Sequence, residues 1–123
     1  MSKIMLVDDN EVIIDLYERT INDIPSAEVV AVAKNGEEAI EMLENNVENI
    51  DLIILDIVMP KKDGNIAIKE IMEFDKDAVI IIVSSVGTQS QLKCALESGA
   101  TDFIQKPINK IQIIDAVNKY LGR

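Results

Sequence analysis

A doubly wound α/β fold built on a parallel sheet is what the sequence predicts, and two observations carry that prediction. Apolar runs recur along the chain at residues 4–7, 29–33, 52–55 and 79–83, with a weaker one at 103–104. The stronger runs are continuous and aliphatic rather than alternating with polar residues, the pattern of strands buried on both faces. Between the runs lie segments of helical period, so strand and helix alternate five times. A repeat of that kind forms a parallel sheet covered by helices on both sides. Right-handed crossovers then place the strand-to-helix loops along one edge.

The helical segments follow in order. Ile13, Leu16, Tyr17, Thr20, Ile21 and Ile24 recur three or four apart behind Asn10, a residue suited to cap a helix start. Asn35-Gly36-Glu37-Glu38 has the spacing of a capping box and opens a helix through Ala39, Ile40 and Leu43. Residues 66–72 make a third helix, and Leu92, Ala95 and Leu96 a fourth that Gly99 closes. Ile113, Ile114, Val117 and Leu121 behind Asn109 make a fifth. No repeat, low-complexity tract or linker interrupts the pattern, so residues 1–123 read as one domain.

Composition removes whole classes of function. The single cysteine, Cys94, makes no internal disulfide and belongs to no zinc-like cluster; on a helix it reads as filler, which fits a reducing cytoplasm. The start, MSKIMLVDDN, is not a secretory signal, and no apolar run reaches the ~20 residues of a membrane span. Twenty-two acidic residues against twelve basic ones give a net charge of -10, which repels a nucleic-acid backbone. The chain has no histidine, so Ser-His and Cys-His nucleophile pairs and imidazole ligands are excluded. Chemistry must run on carboxylates, hydroxyls and lysine. The acidic run 37–48 reads as a solvated helix face.

The polar residues fall in one place on this frame. Asp8 and Asp9 follow the first strand, Asp56 ends the third, Ser84 and Ser85 end the fourth, and Lys106-Pro107 follow the fifth. All lie at carboxyl ends of strands, the edge where open α/β sheets bind ligands. Asp8 and Asp9 alone could serve as a helix cap, and Asp56 alone as a solvated strand end. Brought together, three carboxylates raise one another's pKa unless a cation intervenes. Mg²⁺ suits such a set because it takes one or two carboxylates, keeps waters and accepts phosphate oxygens. That points to phosphoryl chemistry, with Asp56 as nucleophile, Lys106 neutralising a phosphoryl oxygen and Ser84 donating a hydrogen bond to another.

The strings LVDD at 6–9, LIILDIVMPKKDG at 52–64, IIIVSS at 80–85 and GATDFIQKP at 99–107 resemble the receiver domain of two-component response regulators, the CheY-like family. The resemblance spans essentially the whole chain. It implies a flavodoxin-like sheet in the order 2-1-3-4-5 with five helices; CheY-like proteins are among the examples behind the edge rule just used, so the two do not support each other independently. It further implies that Asp56 accepts a phosphoryl group from a histidine kinase or histidine phosphotransfer protein. Asp8, Asp9, Asp56 and the backbone carbonyl of Val58 would hold Mg²⁺, with Mn²⁺ as the alternative ion. Lys106 matches the phosphoryl-contacting lysine, the Lys106-Pro107 bond one often found cis, Ser84 the switch hydroxyl, and Phe103 the aromatic whose rotamer follows it. Partners would read the face made by the fourth helix, fifth strand and fifth helix. With no histidine of its own, the chain needs a partner as donor.

Departures from the family pattern bear on detail. The switch hydroxyl is serine rather than threonine, Ser85 stands where alanine is frequent, and Phe103 lacks the hydroxyl of a tyrosine. Phe103 as a plain edge packing residue stays open. Val58 and Val86 match positions that tune loss of the phosphoryl group, and neither side chain orients a water, so slow autodephosphorylation is expected. Haloacid dehalogenase-type phosphatases place a second aspartate two residues beyond the nucleophile, where this chain has Val58; a flavodoxin-type phosphate loop would not carry Asp8-Asp9. The expectation is a signalling switch and not an enzyme, cytoplasmic, stand-alone and of chemotaxis or phosphorelay kind, monomeric unless phosphorylation drives dimerisation. The alternatives are the receiver of a longer regulator with an effector domain, and a phosphorylation-independent interaction module.

Overall fold

Continuous aliphatic strands need a layer of helices on each side, and the computed structural model has that arrangement. It describes residues 2–45, 50–56, 64–74, 77–84, 89–106 and 108–120. Val58, Met59, Pro60, Ser85, Val86, Pro107 and Leu121 lie outside the described residues. The elements are β1 (Ser2–Val7), α1 (Glu11–Asn22), β2 (Ala27–Ala33), α2 (Gly36–Glu44), β3 (Leu52–Asp56), α3 (Gly64–Phe74), β4 (Ile80–Ser84), α4 (Gln89–Ser98), β5 (Asp102–Gln105) and α5 (Lys110–Tyr120). The strands pair in parallel in the order β2-β1-β3-β4-β5.

Strand alternation explains why the runs are continuous. Met5, Val7, Ile53, Leu55, Ile80 and Ile82 point to one side, where they pack with Ala39 and Leu43 of α2, Ala67, Ile68 and Ile71 of α3, and Ala95 of α4. Ile4, Leu6, Leu52, Ile54, Ile81 and Val83 point to the other, against Tyr17 and Ile21 of α1 and Ile113 and Val117 of α5. Each large aliphatic side chain so buried contributes roughly 1.5–3 kcal/mol of transfer free energy. β5 is an edge strand and only half-buried, with Phe103 exposed and Ile104 packed on the second cluster. Its apolar run is correspondingly the weakest.

The caps follow the sequence with one shift. Asn10 Oδ1 accepts from the backbone N–H of Val12 and Ile13. Asn35 Oδ1 accepts from Glu38 N at 2.9 Å, but Glu38 Oε1 accepts from Lys34 N rather than from Asn35 N, so the box closes one residue early. The reciprocal box is at α5, where Asn109 and Gln112 each accept from the other's backbone N–H. Ile66 and Leu96, counted above among the helical apolar positions, are exposed. β1 and β2 begin two residues before their apolar runs, and β3 continues into Asp56.

Gly99 ends α4 with φ +125°, a conformation L side chains avoid, and a Cβ there would stand 2.5 Å from Met72 Cγ of α3. Gly99→Ala therefore lowers the unfolding free energy by about 1–3 kcal/mol, read as a shift in the urea midpoint with unchanged slope.

Candidate functional site

The parallel register of β1 and β3 brings Asp8 and Asp56 out of the sheet side by side. Val7 pairs with Leu55, so the next residue of each strand is an aspartate. Asp8 N donates to Ala33 O at 3.0 Å, which carries β1 one residue further along β2. Asp8 and Asp56 are buried, at 2% and 7% exposure, while Asp9 faces solvent. One carboxylate oxygen from each of the three lies within 4.8 Å of the others.

Lys106 answers two of them. Lys106 Nζ lies 3.3 Å from Asp56 Oδ2 and 4.0 Å from Asp8 Oδ2. Its backbone is held by β4, since Lys106 N donates to Ser84 O at 2.7 Å. Ser84, the last residue of β4, is buried beside this junction, in register with Gln105. Phe103 is 40% exposed on β5. The structure thus gathers Asp8, Asp9, Asp56 and Lys106 directly and places Ser84 beside them, whereas Phe103 stands off on the outer surface.

The electrostatics are unbalanced. Burial pushes the Asp8 carboxyl above its ordinary 3.8, and the charges of Asp56 and Asp9 push the same way; the N–H of Asn10 and the ammonium of Lys106 only partly offset this. Asp8 Oδ1 accepts from Asn10 N at 2.9 Å, but the buried Oδ2 has no hydrogen-bond partner among the described residues. An orphaned buried carboxylate oxygen inside a three-carboxylate set fits a hard divalent cation of the Mg²⁺ type. The Tyr17 hydroxyl, read from sequence only as a core position, is buried without a hydrogen bond among the described residues; burial first, then Asp8 and Asp56, push its pKa up.

A second polar junction was not foreseen. Tyr120 Oη donates to Asp102 Oδ2, and Lys119 Nζ stands 3.5 Å from the same oxygen. Burial works against the Asp102 charge, but the bond from Tyr120, the N–H of Phe103 and Lys119 outweigh it and hold the carboxyl below its ordinary range. No local motif marks this pair, which lies eighteen residues apart.

Comparison with known proteins decides the family. The sequence pattern of the response regulator receiver domain matches residues 4–118. The chain belongs to that family. It is 38% identical to the chemotaxis protein CheY of Halobacterium salinarum over 97% of this chain and 96% of that one. It is 43% identical to CheY of Bacillus subtilis over 77% and 78%. Among solved structures, CheY in the CheX-CheY-BeF3-Mg²⁺ complex of Borrelia burgdorferi superposes with a TM-score of 0.90 at 32% identity, covering 98% of this chain and 89% of that one. Receiver domains of this type are signalling switches rather than classical enzymes, and the family binds Mg²⁺ through an acidic cluster. Membership implies a histidine kinase as donor and a downstream protein target. No described helix of this receiver is long and apolar enough to cross a membrane.

The Asp8 imbalance sets a pH dependence. A carboxyl whose pKa is raised by folding binds its proton more tightly in the native than in the unfolded state, so stability falls as pH rises from 3.8 through the folded value. In EDTA, Asp8→Asn is expected to be more stable than the native chain near neutral pH, with a smaller gain at about pH 4. Equal differences at both pH values in urea unfolding would contradict this origin.

Proposed function

We propose that residues 1–123 form a single receiver domain that takes a phosphoryl group from phosphohistidine onto Asp56. The observation that carries this reading is the Lys106 Nζ contact to Asp56 Oδ2 at 3.3 Å, within a set of three carboxylates spanning 4.8 Å. Asp56 is buried at a strand end that aliphatic residues hold on both faces, so its carboxylate is positioned without reorganisation. A carboxylate oxygen of Asp56 attacks phosphorus as the P–N bond to the donor imidazole breaks, and the imidazole leaves with the electron pair.

Asp8, Asp9 and Asp56 would hold the metal, with the carbonyl of Val58, outside the described residues, as the further ligand inferred from sequence. Bound Mg²⁺, or Mn²⁺ in its place, supplies the positive charge that lets the carboxylates coexist and draws phosphoryl oxygens to the site. The Borrelia burgdorferi relative, whose structure contains BeF3 and Mg²⁺, supports this assignment. Lys106 Nζ neutralises one phosphoryl oxygen, and the Ser84 hydroxyl donates to another. Lys106-Pro107 remains the cis-peptide candidate from sequence.

Phosphorylation adds about -1.5 to -2 charge and shifts a pre-existing equilibrium toward the active form. Ser84 moves toward the phosphoryl group and Phe103 turns inward, altering the α4-β5-α5 face. That surface already exposes Leu96, Phe103 and Ile111, apolar side chains suited to a protein target. The donor is a histidine kinase or phosphotransfer protein, and the working form is a cytoplasmic monomer of the chemotaxis or phosphorelay kind.

The test is intact mass after incubation with Mg²⁺ and acetyl phosphate. One phosphoryl adduct is expected on the native chain and none on Asp56→Asn, or on the native chain in EDTA; adducts on neither protein at early times sink the proposal. Because Val58 and Val86 offer no group to orient a water, the adduct is expected to decay slowly after gel filtration into Mg²⁺ buffer. Complete loss within seconds would show that these valines do not protect it.

A further inference from the structure

A groove of about 400 Å³ separates α2 from α3, lined by Ile40, Leu43, Glu44, Glu70, Glu73 and Phe74. Ile40, Leu43 and Phe74 are its apolar members, and Phe74 is 53% exposed. Its rim is acidic. α2 carries Glu37, Glu38, Glu41 and Glu44 with no basic residue, and α3 brings Glu73 to the groove.

The placement of these carboxylates is unfavourable for the isolated fold. Glu44 is the last residue of α2 and Glu73 the penultimate residue of α3, and neither helix has a basic residue in its last turn. A helix carboxyl terminus already bears partial negative charge, so glutamates there are repelled where lysine or arginine would be attracted. Two such termini meet over one apolar patch. A cation brought to this rim relieves both helices at once.

The groove is separate from the phosphoacceptor site and from the α4-β5-α5 face. In a sheet of parallel strands with helical crossovers, the carboxyl ends of helices lie at the edge where strands begin. Asp8, Asp56 and Lys106 lie where strands end. α3 stands between α2 and α4, touching both.

We propose that the α2–α3 groove is a second docking surface, one that takes a basic protein segment carrying an aromatic or long aliphatic anchor. The anchor packs on Ile40, Leu43 and Phe74, and lysine or arginine side chains flank it against Glu44 and Glu73. Charge selects this occupant over the others. An anionic membrane or nucleic acid is repelled by the rim, and a second copy of a chain with net charge -10 brings the same sign. Lying at the opposite edge from Asp56, the surface is open to its partner whether or not Asp56 is phosphorylated.

A phage-displayed library of random peptides, panned on the immobilised native chain, tests this. Enriched peptides are expected to combine lysine or arginine with tryptophan, phenylalanine or leucine, and to bind more weakly as salt rises. A synthetic copy should shift backbone amide resonances of residues 36–45 and 64–74. Its affinity should fall by at least about tenfold for Phe74→Ser and for the Glu44→Gln/Glu73→Gln pair, and stay unchanged for Asp56→Asn. Phe74→Ser and the glutamine pair are admitted only if they melt cooperatively and still gain a phosphoryl group from acetyl phosphate, and Asp56→Asn only if it melts cooperatively; where Phe74→Ser fails, Phe74→Leu combined with the glutamine pair replaces it. The proposal is overturned by an absence of enrichment, by peptides without the basic and apolar signature, or by shifts confined to α4, β5 and α5. Spermine competing as well as the peptide reduces the groove to a cation patch. Self-association that depends on Phe74 assigns it to a second copy.

Discussion

Everything at the functional edge depends on β1 and β3 being buried on both faces while paired in parallel register. Because Val7 stands against Leu55, the chain leaves the sheet with an aspartate on each strand at the same height. The alternation of Ile4 and Leu6 to one side with Met5 and Val7 to the other gives the strand no freedom to slip. A one-residue slip would exchange the side chains packed on α1 and α5 for those packed on α2, α3 and α4. Placement of two like charges a few ångströms apart is therefore fixed by hydrocarbon packing.

The resulting conflict is local. Lys106 bridges Asp56 and Asp8, yet Asp8 keeps a buried oxygen without a hydrogen bond among the described residues. The fold tolerates this because the two cores supply stability elsewhere. A site that is costly without its ligand and relieved with it is primed to couple ligand binding to conformation. In a receiver domain that coupling is the function.

Much of this was legible in the sequence because two-faced burial writes itself as unbroken aliphatic runs. β5 was the faintest strand because only one of its faces is covered: Ile104 faces the core and Phe103 does not, whereas β2, at the other edge, packs on both sides. The collection of Asp8, Asp9, Asp56 and Lys106 at one edge follows from topology, and so was readable once strands were placed. Which of Asp8 and Asp9 is buried depends on the phase in which the chain leaves β1. The return bond of Glu38 to Lys34 depends on a side-chain rotamer. The Tyr120–Asp102 bond and the α2–α3 groove arise from packing between segments distant in sequence, for which no local pattern exists.

The fastening of α5 has a mechanical consequence. Its first turn is closed by the reciprocal Asn109–Gln112 box, and its last residue, Tyr120, is bonded to Asp102 at the start of β5. Strand and helix thus form a closed frame, tied where the strand begins and where the helix ends. Bending one member would strain the other. A protein that grips α5 therefore takes hold of β5 as well.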